Sequence, residues 1–385
     1  MLDLTRLQQA LTAKREDFHT YGRETLGLRR RFADAWQTLR DMPMADIFAG
    51  IERLGSPGAR PTTEWAQPPR VRPFDRHFAS HAEIHDWAAQ QLAGRWTVSA
   101  DGSQIDPPPD LLLPVAVVQV SQFANPHRAD VPYVKDADAQ VLSPKELTGG
   151  PLEPKSEMVC RRFEAEVAAL IGAMQRVAGA DPMPVAFYDG PLVVHFAERA
   201  VPEARARYLA AIQSLLTASR ELCIPVVGYI DSSAARDLAT LTGLLSRLPI
   251  DTTPPDALLV ADDLPTWGDR TAAAACDRGG ILDAYAEGPR AVGFCYVRTH
   301  AGLPSRLEFP LWVVEQGRLD EVVAIVLAEA AVGQGYPYAL EVADATAVLS
   351  TADRQRFERV LAAFAEQEGI PLPRSHKALS KGRRR

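Results

Sequence analysis

Cysteine is scarce and never clustered: Cys160, Cys223, Cys276 and Cys295 stand far apart in a chain of 385 residues. No Cys-x-x-Cys pair exists, which removes the zinc-ribbon and dithiol-redox classes and leaves reduced, buried thiols as the expectation. Long hydrophobic runs are missing as well. No stretch of about eighteen apolar residues occurs, so no transmembrane helix is expected. The opening Met1-Leu2-Asp3-Leu4-Thr5-Arg6 lacks the basic-then-apolar layout of a signal peptide. A cytoplasmic protein without membrane attachment is the expectation. Phosphate-cradling glycine loops are absent: Gly149-Gly150 and Gly279-Gly280 fit neither Walker nor dinucleotide spacing. Ser103 has no Gly-x-Ser-x-Gly context and no recognisable histidine partner, which argues against a serine nucleophile. The net charge of −7 argues weakly against nucleic acid as a partner, but it hides distribution. Residues 374–385 hold no acid and several Lys and Arg. Such a tail either lies along phosphates or is simply a solvated end.

What is present centres on two copies of one design. Trp96-Thr97-Val98-Ser99-Ala100-Asp101-Gly102-Ser103-Gln104 climbs through apolar and β-branched residues to a carboxylate followed by glycine. Pro184-Val185-Ala186-Phe187-Tyr188-Asp189-Gly190-Pro191-Leu192 repeats it. Each predicts a buried strand with an Asp at its tip and a Gly that lets the backbone turn away. Between them a helix is predicted over 154–178, with Phe163, Val167, Leu170, Ile171 and Met174 as its apolar stripe and Glu157, Glu164 and Glu166 beside it.

Helical periodicity runs through 1–55, and 55–73, rich in Pro, Gly and Arg, predicts a linker. A short helix is expected over 81–92. His77, His81 and His85 would share one face of a continuous helix, a weak zinc pattern that an exposed polar face explains better. Strands are predicted over 111–120, near 131–134, and over 224–231, 291–297 and 306–314. Helices are predicted over 203–223, 319–332 and 351–368, and a loop over 251–270. Strand and helix alternate, which predicts an α/β layout. The N-terminal helices could serve dimerisation or partner docking.

Asp101, a helical Glu and Asp189 are the minimal parts of a hard-cation site, because magnesium and manganese prefer oxygen ligands. Two such ions stabilise both attacking and leaving oxygens in phosphodiester hydrolysis. The bland alternative is that both Asp-Gly pairs only make tight turns.

The ordered segments resemble the NurA family of DNA-end-processing nucleases. The matching pieces include Ala100-Asp101-Gly102-Ser103-Gln104, Arg161-Arg162-Phe163-Glu164-Ala165-Glu166 and Tyr188-Asp189-Gly190-Pro191-Leu192. Later come Val227-Gly228-Tyr229-Ile230, Phe294-Cys295-Tyr296-Val297-Arg298, Glu308-Phe309-Pro310-Leu311-Trp312 and Gly335-Tyr336-Pro337-Tyr338-Ala339-Leu340. The resemblance implies an RNase H-like core with a mixed sheet flanked by helices, preceded here by the helical region. The expected layout is 1–55 helical, 56–90 linker and short helix, 91–370 nuclease domain and 371–385 basic tail.

It further implies a homodimer acting on DNA ends with manganese or magnesium, two ions in all. The implied activities are 5′→3′ exonuclease and single-strand endonuclease, in double-strand-break repair with a HerA-like hexameric ATPase. Asp101 and Asp189 match the metal-binding aspartates, and the helical ligand is Glu164 or Glu166, with Glu164 favoured. Many members carry an active-site histidine after the Tyr-Pro segment, where this chain has Ala343-Asp344. Asp344 would then be a fourth ligand, unless activity is altered or it merely caps a helix. Arg161 and Arg162 are candidates for backbone phosphates. Two other readings stand beside this one: a non-catalytic DNA-end or ATPase adaptor, and an RNase H-like enzyme acting on RNA or hybrids.

Overall fold

The computed structural model describes residues 2–66, 68–107, 113–285 and 292–372. The basic tail and the start of the strand expected over 111–120 lie outside the described residues. The chain divides into two compact units. One gathers Met1–Phe74, Ser232–Gly279 and Cys295–Arg306; the other gathers Asp75–Asp231, Gly280–Phe294 and Leu307–Arg385.

The first unit opens with helices α1 (Leu4–Ala13), α2 (Arg15–Asp41) and α3 (Met44–Ile51), followed by strands β1 (Gly58–Pro61) and β2 (Val71–Arg72). The second takes up α4 (His81–Leu92), β3 (Thr97–Ile105), β4 (Ala116–Asn125), β5 (Val134–Leu142), α5 (Pro144–Thr148), α6 (Pro154–Arg176), β6 (Val185–Asp189), α7 (Pro202–Glu221) and β7 (Val226–Ile230). The first resumes with α8 (Asp237–Leu245), α9 (Asp256–Val260), β8 (Arg270–Thr271) and β9 (Ala274–Asp277). Strands β10 (Val292–Val297) and β11 (Ser305–Pro310) precede α10 (Trp312–Glu315), α11 (Leu319–Val332), α12 (Tyr338–Ala347) and α13 (Thr351–Gln367).

Within the first unit, α2 is buried only along its last turns, through Phe32, Trp36 and Leu39 at helical spacing. The stretch expected to be a linker supplies β1 and β2, which pair antiparallel with β9 and β8. Its prolines and glycines delimit very short strands. The expected loop 251–270 holds α9, whose five residues are too few to show a period.

The second unit is organised by a mixed sheet in the order β5-β4-β3-β6-β7. β4 runs antiparallel to β3 and β5, while β6 runs parallel to β3 and β7. That order and those directions make the core RNase H-like. β5 is almost wholly exposed, with Lys135, Asp136 and Asp138 along it, as suits a sheet edge kept from pairing further.

Side chains alternate across a strand, so Thr97, Ser99 and Asp101 share one face of β3 and Val98, Ala100 and Gly102 the other. α12 lies on the first face: Ser99 Oγ donates to the Ala339 carbonyl at 2.7 Å and Ser121 Oγ to that of Ala343 at 2.6 Å. α6 lies on the second, where Arg162 Nη1 donates to the Gly102 carbonyl at 2.9 Å.

Candidate active site

Ala100 of β3 pairs in parallel register with Tyr188 of β6. The next residue of each strand, Asp101 and Asp189, therefore stands side by side on one face, on strands about 4.8 Å apart. The two Asp-Gly copies converge, but their glycines do different things. Gly190 has φ +127°, a conformation that turns the chain off the end of β6. Gly102 makes no turn, because β3 runs on to Ile105. A Cβ there would lie 2.4 Å from Glu166 Oε1. Gly102 is the gap through which a helical carboxylate reaches the strand.

That carboxylate is Glu166, not the favoured Glu164. Glu164 is gripped from α7 by Arg207, whose Nε and Nη2 donate to its two oxygens at 2.7 and 2.6 Å. The signal in the sequence is one of position: around the helix Glu166 falls between Leu170 and Ala173, on the face that α6 buries. Arg161 pairs with Glu157 at 2.7 Å, and Arg162 with Glu166 at 3.3 Å.

Asp344 lies well inside α12, whose cap is Pro337, so it is not a helix-capping residue. It sits near enough to add its negative charge to Asp101 and Asp189. Tyr336, which the sequence offered only as part of a motif, donates from its hydroxyl to Asp189 Oδ1 at 2.8 Å. Its ring meets that of Tyr229 edge to face at 5.0 Å. The turn behind Asp189 is pinned by buried Glu308, which accepts from the Leu192 and Val193 N–H groups at 2.8 and 3.1 Å.

Crowded acids resist ionisation. Burial, and then the charges of Asp189 and Asp344, push Asp101 up to about 6 against the pull of the Gly102 N–H. Burial also pushes Glu166 up to about 7, with Arg162 opposing and Asp101 and Asp189 adding to the rise. Asp189 is raised by burial while the Tyr336 hydrogen bond holds it back. Glu166 Oε1 is buried without a hydrogen bond.

Among the described residues no three His, Cys, Asp or Glu side chains stand as a ready-made metal group. The donor set nonetheless fits a hard cation in kind: carboxylate oxygens only, mutually repelling, one of them buried without a hydrogen bond. The three histidines do not share a helix face, because α4 begins at His81 after its cap Ser80 and His77 precedes it.

Residues 97–349 match the NurA domain. The chain belongs to the NurA family. The matched stretch holds all four carboxylates, Asp101, Glu166, Asp189 and Asp344. NurA nuclease from Sulfolobus solfataricus has a similar structure, at 13% identity and TM-score 0.49, covering 74% of this chain and 93% of that one. The catalytic domain of human Endonuclease V matches at 16% identity and TM-score 0.34, covering 76% and 95%. Aquifex aeolicus Argonaute matches at 11% and 0.27, covering 66% and 28%. No curated protein matches the chain. No helix among the described residues is long and apolar enough to cross a membrane.

Proposed function

We propose that this NurA-family chain is a divalent-metal-dependent deoxyribonuclease that trims DNA ends. The observation that carries the reading is the level placement of Asp101 and Asp189 on adjacent parallel strands, with Glu166 entering over Gly102. Asp101, Glu166, Asp189 and Asp344 would hold manganese or magnesium, two ions in all. Bound divalent cations supply an activated water and charge neutralisation for phosphodiester cleavage.

The chain's own residues set up that chemistry. Tyr336 fixes the rotamer of Asp189 through Oδ1, leaving Oδ2 for a ligand. Arg162 lowers the cost of a buried Glu166 charge. Glu308 holds the turn that carries Asp189. No serine or cysteine nucleophile is needed. In this reading the protein acts as a homodimer with a HerA-like hexameric ATPase, as a 5′→3′ exonuclease and single-strand endonuclease in double-strand-break repair.

The test is digestion of 5′- and 3′-labelled single- and double-stranded DNA with manganese, magnesium or chelator. Metal-dependent release of 5′ nucleotides is expected; products that form equally well in chelator contradict the proposal. The non-catalytic adaptor reading draws support from Asp344 in place of histidine and from the lack of a ready-made metal group among the described residues. It predicts no manganese binding at micromolar concentration and no cleavage under any condition. RNA and hybrid substrates at matched salt separate the remaining alternative.

A further inference from the structure

In the first unit, helix α1 and the first half of α2 carry an apolar seam left exposed among the described residues. Leu4, Leu7, Leu11, Phe18 and Tyr21 are 71%, 41%, 51%, 59% and 71% exposed. Their spacing is heptad: Leu4, Leu11, Phe18 and Thr25 take position a, and Leu7, Lys14, Tyr21 and Leu28 take position d. The next a residue, Phe32, is where the same seam enters the core of the first unit. Single helices of this composition are marginal in water unless their apolar face is covered. From Leu4 to Arg31 the arm runs about 40 Å at 1.5 Å per residue. It lies outside the residues that match the NurA domain.

We propose that this arm pairs with the same arm of a second copy as a parallel two-stranded coiled coil. The flanking charges select both partner and direction. Among charged residues, positions e carry Arg15 and Arg29, and positions g carry Asp17, Glu24 and Arg31. In a parallel pair g faces the following e of the partner, which sets Glu24 against Arg29 of the other copy. An antiparallel pair would set e against e, where Arg15 and Arg29 find no acidic partner. Lys14 is the charged exception in the seam, at the single-residue break between α1 and α2. A single charged seam residue penalises shifted alignments and so fixes register. The seam keeps its phase across that break, since Leu11, Lys14 and Phe18 follow at three and four.

Disulfide capture in the full-length protein tests this, independently of nuclease activity and of any dimer contact made by the NurA domain. Cys223 is exposed and the other three cysteines are buried, so Cys223→Ser is the background. In a parallel in-register pair two residues at position 11 approach within disulfide reach, whereas position 9 points away from the seam. Under mild oxidation Leu11→Cys should yield linked dimer at least tenfold above Gln9→Cys. Adding Leu4→Glu and Leu7→Glu should cut that yield about tenfold, with circular dichroism at the same time showing the body folded. Equal yields from Leu11→Cys and Gln9→Cys, or no linkage from Leu11→Cys in protein that is folded by circular dichroism, overturn the proposal.

Discussion

Glu164 and Glu166 lie two residues apart on α6 and so point about 200° away from each other around the helix. One meets Arg207 and the other lies near enough to Asp101 to feel its charge. Glu166→Gln should lower DNA cleavage at least 100-fold. Glu164→Gln should leave cleavage within a few-fold and cost at most about 1 kcal/mol, because the pair with Arg207 is partly exposed. Steady-state digestion and urea denaturation of both variants check this.

The crowding also sets a pH dependence in chelated protein. Glu166 titrates near 7 in the fold against an ordinary 4.5, so the folded state binds the extra proton between those values. Its stabilising contribution is complete below about pH 4.5 and is lost as pH rises through about 7, on the order of 3 kcal/mol. Wild type measured against Glu166→Gln should therefore lose stability between pH 5 and pH 8. A difference that stays flat or grows with pH would refute the buried, crowded placement.

At the scale of elements, most long helices were legible because their apolar stripes are regular: 319–332 matches α11 to the residue, and 154–178 overlaps α6. The buried strands β3, β6 and β7 were legible for the same reason. β5 was not, because an edge strand wetted on both sides shows no alternation in Val134-Lys135-Asp136-Ala137-Asp138. The role of Gly102 was misread as a turn, since only the packing of α6 shows that the missing Cβ makes room for Glu166. Glu308 is an element-scale device that no motif reveals, joining β11 to the turn after β6. Glu308→Ala strands two buried N–H groups and should cost about 2–4 kcal/mol. It should also weaken manganese binding in calorimetry, because the Asp189 turn loses its anchor. Unchanged metal affinity in the folded variant would remove Glu308 from the site.

Across the whole molecule, the first unit joins segments more than two hundred residues apart, and no local pattern announces that. Its interior is held by a buried charge cluster that composition alone does not show. Arg306 Nη1 meets Asp237 at 2.8 Å and Tyr296 Oη at 3.2 Å, and Arg278 Nη2 reaches Asp237 at 2.6 Å. Burial, together with the Asp237 charge, holds Asp256 high, while burial of Asp237 is outweighed by Arg306 and Arg278. Arg306→Met takes the buried cation away from Asp256 and leaves Asp237 to Arg278 alone, which should cost about 3–5 kcal/mol in thermal or urea unfolding. A neutral result would mean that the cluster is replaceable by apolar packing.

The central claim is that carboxylates from two neighbouring strands act together on a phosphodiester. Its most direct test compares wild type with Asp101→Asn on end-labelled linear DNA in manganese, with melting curves run in parallel. The account predicts that Asp101→Asn melts at or above the wild-type temperature in chelator and cleaves at least 100-fold more slowly in manganese. Cleavage by Asp101→Asn at the wild-type rate would contradict it.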